Sequence, residues 1–311
     1  MVPLNEEMIL NAVAADNGRL PSTVLIRPGD DMALLEWPSN RLLCAVDQVV
    51  VGVHVTTSTP IELIARKAVA RNLSDVAAMG ALPVAILACA TLPVAMTQEA
   101  AHELLASVRQ WGREFGAPLI GGDTTIHTDV AAPLVLSITV LATPRTDGIV
   151  VTRSGACVGD LLIVSGALGG SFGEEGLGRH LTFTPRVRAA QTLIDALGTR
   201  VHAMMDLSDG LGVDSGRMMH ASSQKGGCAL QAQFLAEQIP CQCGVTLSCA
   251  LGDGEDYELL AAIDGRAAAP SGFTVVGQVV ARAESDPRLA VVLIGDECED
   301  ATQLGWTHGS K

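Results

Sequence analysis

Six aspartate-bearing motifs, each at the end of an apolar run or along a helix, constrain this chain more than any other feature. They are Gly29-Asp30-Asp31, Asp47 between the apolar runs 42–46 and 49–51, Asp75 in Arg71-Asn72-Leu73-Ser74-Asp75, Gly121-Gly122-Asp123-Thr124-Thr125, Asp206-Leu207-Ser208-Asp209-Gly210, and Gly252-Asp253-Gly254-Glu255-Asp256-Tyr257. A carboxylate flanked by strand-like apolar residues is expensive to bury unless it is paired or bound to a metal. The chain must therefore fold so that these positions reach water or one another. Carboxylates without an accompanying Cys/His cluster suit a hard cation such as Mg2+, and glycine-lined backbone beside them suits a polyphosphate. Any single Asp-Gly or Gly-Asp pair is equally well accounted for as a turn. Asp75 has an ordinary ion-pair partner in Arg71, one helical turn earlier, and Ser208 and Asp209 are natural helix caps. Turn chemistry is a much weaker account of all six together.

The 311 residues fit two domains better than one. With 48% hydrophobic and 17% charged residues the chain is an ordered globular protein. A net charge of −14 argues against nucleic acid or an anionic membrane as a partner. It also means that a phosphorylated ligand would need cations to screen the repulsion. One Tyr, five Phe and three Trp argue against base-stacking platforms. Most of the eight cysteines lie inside apolar runs. Cys241-Gln242-Cys243 with Cys249 lacks the second pair or the His spacing of a soft-metal site. The first residues lack the basic and apolar regions of a signal peptide, and the longest apolar stretch, 81–96, is interrupted by Pro83 and Pro93. A cytoplasmic setting is expected.

Along the chain, 1–26 reads as a leading helix and connector, and 41–46 as a strand extended by 49–55. Thr59, Pro60 and Glu62 signal a capped helix ending at Gly80. The run 84–92 reads as a buried strand. A helix from Thr97 carries Leu104, Val108, Trp111 and Phe115 on one face. Residues 119–120 lead into the Gly-Gly-Asp motif, read as a tight turn, and 134–141 is a further strand. Turn formers at 143–148 suggest a boundary, giving domains 1–145 and 146–311. Beyond it, 160–164 reads as a strand, 187–197 as a helix face, Asp206 to about Ser223 as a helix, and 257–263, 273–280 and 289–294 as strands. The order lacks a clean β-α-β rhythm, so the fold class is α+β. No G-x-x-x-x-G-K-[ST], kinase Gly-rich loop, H-R-D or G-x-S-x-G motif occurs. The residues alone point to an acidic, multi-metal, phosphate-handling enzyme without naming its substrate.

Five ordered stretches make the chain resemble the thiamine-monophosphate kinases. They are Asp47-Gln48-Val49-Val50-Val51-Gly52-Val53-His54, Arg66-Lys67-Ala68 with Asn72 to Ala81, Gly121 to Thr125, Met205-Asp206-Leu207-Ser208-Asp209-Gly210-Leu211, and Gly254-Glu255-Asp256-Tyr257-Glu258-Leu259-Leu260. The resemblance spans about 29–306. It implies a homodimer of two-domain α+β subunits with the PurM-like architecture of aminoimidazole ribonucleotide synthetase, the N-terminal sheets joining in a barrel-like interface near bound ATP. It further implies Mg2+ ligands at Asp30, Asp47, Asp75, Asp123, Asp206 and Asp209, with Asp123 and Asp209 closest to the chemistry. ATP contacts are implied at Gly122, Arg153 and Ser208, and thiamine-phosphate contacts at His54, Glu255 and Trp306. The implied reaction passes the γ-phosphoryl of ATP to thiamine monophosphate, giving thiamine diphosphate.

The chain departs from the family pattern at Ala45 and Val46, where two Thr are usual, at Val51 for Glu, at Val55 for an aromatic, and at Ile126 for Arg. These departures bear on one metal site and on acceptor affinity. They keep two other readings in play: a sister ATP-dependent synthase acting on another acceptor, and a nucleotide-binding homologue without turnover.

Overall fold

The computed structural model describes residues 24–26, 30, 32–37 and 40–306. Asp31 and most of the expected leading helix lie outside the described residues. Among the described residues, β1 (Val24–Ile26), β2 (Ala33–Trp37), β3 (Asn40–Val50), β4 (Leu82–Pro93), β5 (Leu119–His127) and β6 (Val135–Thr143) form one sheet in the order β1-β2-β3-β6-β4-β5. A second sheet, β13-β12-β9-β11-β7-β10-β8, is built from β7 (Leu161–Val164), β8 (Val201–Asp206), β9 (Leu230–Leu235), β10 (Leu259–Ile263), β11 (Thr274–Ala281), β12 (Ala290–Ile294) and β13 (Glu297–Asp300). Pairing is antiparallel except between β4 and β5 and between β9 and β12. The fold is α+β, as expected.

Alternation shapes the first sheet. On β6, Leu136, Ile138, Val140 and Ala142 are fully buried, while Ser137, Thr139 and Leu141 face the other way. The buried face packs on α1 (Ile61–Ala78) and α2 (Gln98–Glu114) through Ile64, Ala68, Leu73, Leu104 and Val108. The second sheet carries α3 (Val187–Leu197), α4 (Leu211–Gly226) and α5 (Leu247–Gly252). Its β10 is buried at every residue, the pattern of a strand covered on both faces.

α1 joins the two halves. Its small side chains and near-continuous burial identify it as an interior helix, and it contacts β3 and β6 on one side and α3 and β8 on the other. The capping box expected at Thr59 is not made. Pro60 occupies the cap position without a side-chain hydrogen bond, and the Thr59 hydroxyl pairs instead with that of Thr56 at 3.0 Å. A neighbouring hydroxyl competes with the cap, and Pro60 already supplies the required backbone angle.

Three further expectations are corrected. Gly121-Gly122-Asp123 is not a turn but the middle of β5, with Gly122 and Asp123 opposite Ala88 and Cys89. Gly122 is there because the strands touch: a Cβ on it would fall 1.9 Å from the Ala88 carbonyl oxygen. Asp206 ends β8 and does not open a helix, since α4 begins only at Leu211, after Gly210 at φ +111°. β10 starts two residues later than expected because Glu255 and Tyr257 adopt φ near +50°. Strands β1, β8, β9 and β13 had not been expected from the sequence, β1 falling in the stretch read as a leading helix and connector.

Candidate active site

The ends of β3 and β8, one face of α1 and two loops of the second half enclose a cleft of about 460 Å3. β3 carries Asp47 towards α1, where its N–H donates to Asn72 Oδ1 at 3.0 Å and its carboxylate accepts from Arg71 Nε at 2.9 Å. Arg71 thus reaches β3, and Asn72 is a buried tie between strand and helix. Burial alone would lower the Arg71 guanidinium, but the carboxylates of Asp47, Glu255 and Asp75 hold it well above its ordinary range. From the second half, β8 delivers Asp206, 5% exposed, which accepts a 2.6 Å hydrogen bond from Ser74 of α1.

The 207–210 loop is held by a residue the motif reading missed. Asp214, fully buried in the first turn of α4, accepts the N–H groups of Ser208 and Asp209 at 3.0 and 2.9 Å and pairs with Arg217 at 2.9 Å. Burial, with Asp209 adding to it and Arg217 opposing, pushes its carboxyl up to about 7. Arg217 also pairs with Asp209. The 254–257 loop packs on this one through Glu255 N–H to Ser208 O at 2.7 Å and Tyr257 N–H to Leu207 O at 2.8 Å. Glu255 is largely buried. Burial alone would raise its carboxyl, but His180 and the Lys67 ammonium against its oxygen hold it at about 2.

Of the residues expected to act together, Asp30, Asp47, His54, Asp75, Arg153, Asp206, Ser208, Asp209, Glu255 and Trp306 all line this cleft. Asp30 lies beside Arg153, whose N–H approaches its carboxylate at 3.3 Å. Ala45 and Val46, the positions that depart from the family pattern, line it as well. Gly122 and Asp123 do not. Register carries Asp123 through Cys89 and Ser137 to Gln48, so it lies three strands from β3, about 14 Å at ordinary spacing. It sits on the open face of the sheet, whereas Asp47 faces α1. Seven carboxylates against three guanidinium groups leave the cleft strongly acidic. Its lining contains no thiol, so the donor set suits a hard cation.

A separate group, Cys157, Asp160 and His202, gathers at the opposite end of β8. His202 Nδ1 lies 2.9 Å from Asp160, which also accepts the Cys157 N–H at 2.8 Å, so hydrogen bonding accounts for the cluster. Among the described residues, Cys241, Cys243 and Cys249 form no metal-capable group. No helix of the described residues is long and apolar enough to cross a membrane.

Residues 29–143 match the family described as "AIR synthase related protein, N-terminal domain". The thiamine-monophosphate kinase of Rhodopirellula baltica is 33% identical over 98% of this chain and 97% of its own. A crystal structure of thiamine monophosphate kinase from Aquifex aeolicus superposes with a TM-score of 0.71 at 25% identity, covering 88% of this chain and 94% of that one. A structure described as "AaThiL complexed with AMPPCP and TMP" gives 0.79 at 24% identity, over 98% and 97% of the two chains. With the ordered motifs, the two-sheet α+β fold and identity along nearly its whole length in agreement, the chain belongs to the thiamine-monophosphate kinase family.

Proposed function

We propose that this protein transfers the γ-phosphoryl of ATP to thiamine monophosphate, forming thiamine diphosphate and ADP. The observation that carries the reading is the convergence of five of the six expected carboxylates with His54, Glu255 and Trp306 on one cleft, from both halves of the chain. The acceptor is itself a phosphate, so catalysis needs alignment and charge neutralisation more than a strong base. Asp30, Asp47, Asp75, Asp206 and Asp209 would hold Mg2+, together with Asp123. When bound, Mg2+ supplies neutralisation at the transferring group. Arg153 and Ser208 contact the nucleotide, with Gly122 beside Asp123. His54 and Glu255 orient the acceptor, and Trp306, 44% exposed, offers an aromatic face to its rings.

Residues 1–145 are proposed to bind nucleotide and metal and to dimerise, and 146–311 to complete the site. The bare face of the first sheet supports dimerisation. Val46 is 63% exposed there, and β5 is an edge strand exposed along nearly its whole length. Asp123 lies on that face, so a two-fold contact would bring it to the partner's cleft. The eight cysteines are all free, which supports a reducing, cytoplasmic compartment.

A second reading, a nucleotide-binding homologue without turnover, is favoured by Ala45 and Val46, which bring no hydroxyl to the cleft. The test is ADP release from Mg2+-ATP with and without thiamine monophosphate, with the product identified. Acceptor-dependent ADP matched by thiamine diphosphate is expected. Nucleotide binding without acceptor-dependent turnover would leave the second reading.

A further inference from the structure

Among the largest fully buried side chains of the described residues is a lysine. Lys67, on the inner face of α1, has no exposed surface, and burial lowers its ammonium to about 8, with Glu255 opposing. A buried ammonium has three N–H donors and is tolerated only when they are met. Here three polar groups surround Nζ: the His54 carbonyl oxygen at 2.7 Å, His180 Nδ1 at 2.7 Å, and the Glu255 carboxylate. His180 Nδ1 also stands 2.9 Å from that carboxylate, and its Nε2 lies 3.0 Å from the Gly176 carbonyl, so the ring is wedged between Lys67, Glu255 and its own loop.

Each of the three belongs to a different segment. His54 follows β3, His180 closes the loop after Gly169-Gly170, and Glu255 lies on the loop from the second half. His54 and Glu255 line the cleft directly. His180 lies under Phe172, ring centroids 5.0 Å apart, and Phe172 lines the cleft with 37% of its surface exposed. Glu255 is also one of three described non-glycine residues with positive φ, a conformation that persists only when its surroundings impose it. Lys67 itself does not line the cleft.

We propose that Lys67 is a positioning residue for the acceptor: by gathering His54, His180 and Glu255 around its ammonium it assembles the walls that receive thiamine monophosphate. It touches neither substrate and takes no part in phosphoryl transfer. The inference rests on the proposed function, because it assumes that His54 and Glu255 face the acceptor. A residue that merely stabilised the fold would affect both substrates alike. A residue that assembles one subsite affects that subsite.

The test is steady-state kinetics of K67M, E255Q and K67M/E255Q, with thiamine monophosphate and Mg2+-ATP varied separately and folding followed by circular dichroism. K67M is expected to lose about 10- to 100-fold in kcat/KM for thiamine monophosphate, with the KM for Mg2+-ATP unchanged within about twofold. The double variant should lose less than the product of the two single losses, because the Lys67–Glu255 contact is counted in both. Should K67M fail to fold, K67M/E255Q carries the test against E255Q alone, since removing both charges leaves no orphaned buried carboxylate. A further loss confined to thiamine monophosphate, through His54 and His180, is then expected, and unchanged acceptor kinetics or an equal loss for both substrates would refute the inference. Unchanged acceptor kinetics in folded K67M, equal losses for both substrates, or additive losses in the double variant would each overturn it too. Wild-type protein that makes no thiamine diphosphate would sink the proposed function and this inference together, whereas an active wild type with an indifferent K67M sinks this inference alone.

Discussion

The two sheets of this protein are finished to different degrees. β10, between β7 and β8 of the second, is buried at all five residues and reads as an unbroken apolar run, Leu259-Leu260-Ala261-Ala262-Ile263. β6, at the centre of the first, alternates strictly between buried and half-buried. Its far face leaves Val46 and Cys89 exposed, and β5 beside it is exposed along nearly its whole length. Helices and loops of the same chain complete the second sheet. Among the described residues the first has helices on one side only, and its bare side holds Asp123. A sheet left half covered, with a family-motif carboxylate on its open face, is the feature on which the proposed dimer rests.

The largest effect that would break this contrast concerns Asp123. D123N is expected to lose about 100-fold or more in turnover while keeping its fold, as is D47N. Mixed and re-equilibrated in equal amounts, the two inactive proteins should recover about a quarter of wild-type activity, because half of the dimers then hold one intact site of two. Recovery fails if Asp123 serves its own cleft or none.

Next in size is the difference in what each sheet tolerates. L260A should cost about 2–5 kcal/mol in urea unfolding, as a truncation inside a covered core. V46E should leave subunit stability within about 0.5 kcal/mol yet shift the protein towards monomer in sedimentation. A V46E protein that unfolds like L260A would mean that the open face is closed by its own chain.

The smallest effect is on the acid side. Glu255 is held at about 2, below its ordinary 4.5. Its contribution to stability is therefore present above about pH 4.5 and is lost as pH falls towards 2. The stability gap between wild type and E255Q should narrow between pH 6 and pH 3. A constant gap would show that the carboxylate is not held by its partners in the second half and α1.

Local signals carried far in some places and failed in others for identifiable reasons. α2 was legible because its apolar spacing is regular and Thr97 caps it, accepting from the Ala100 N–H. β8, His202-Ala203-Met204-Met205, was passed over because a short buried strand has no alternation to detect. Gly121-Gly122-Asp123 read as a turn because paired glycines usually are one. Here Gly122 answers to the Ala88 carbonyl, 34 positions earlier in the chain. Among site residues the motif aspartates stood out by their setting. Lys67, Asp214 and Arg217 did not, because a charged residue on a helix looks like an exposed one until the helix is known to be buried.

By itself, the sequence determined the fold class, the acidity of the molecule and the local setting of each motif carboxylate, because these follow from composition, local periodicity and motifs that each occupy a few consecutive residues. Only the tertiary structure decided which of them meet. Ser74 and Asp206 are 132 positions apart and share one 2.6 Å hydrogen bond. Lys67 and Glu255 are 188 apart and share an ion pair. Asp123 stands strands away from the carboxylates it was grouped with. The energy that settles such placements is the burial of α1 between two sheets, and no local stretch of sequence records what a helix will be buried against.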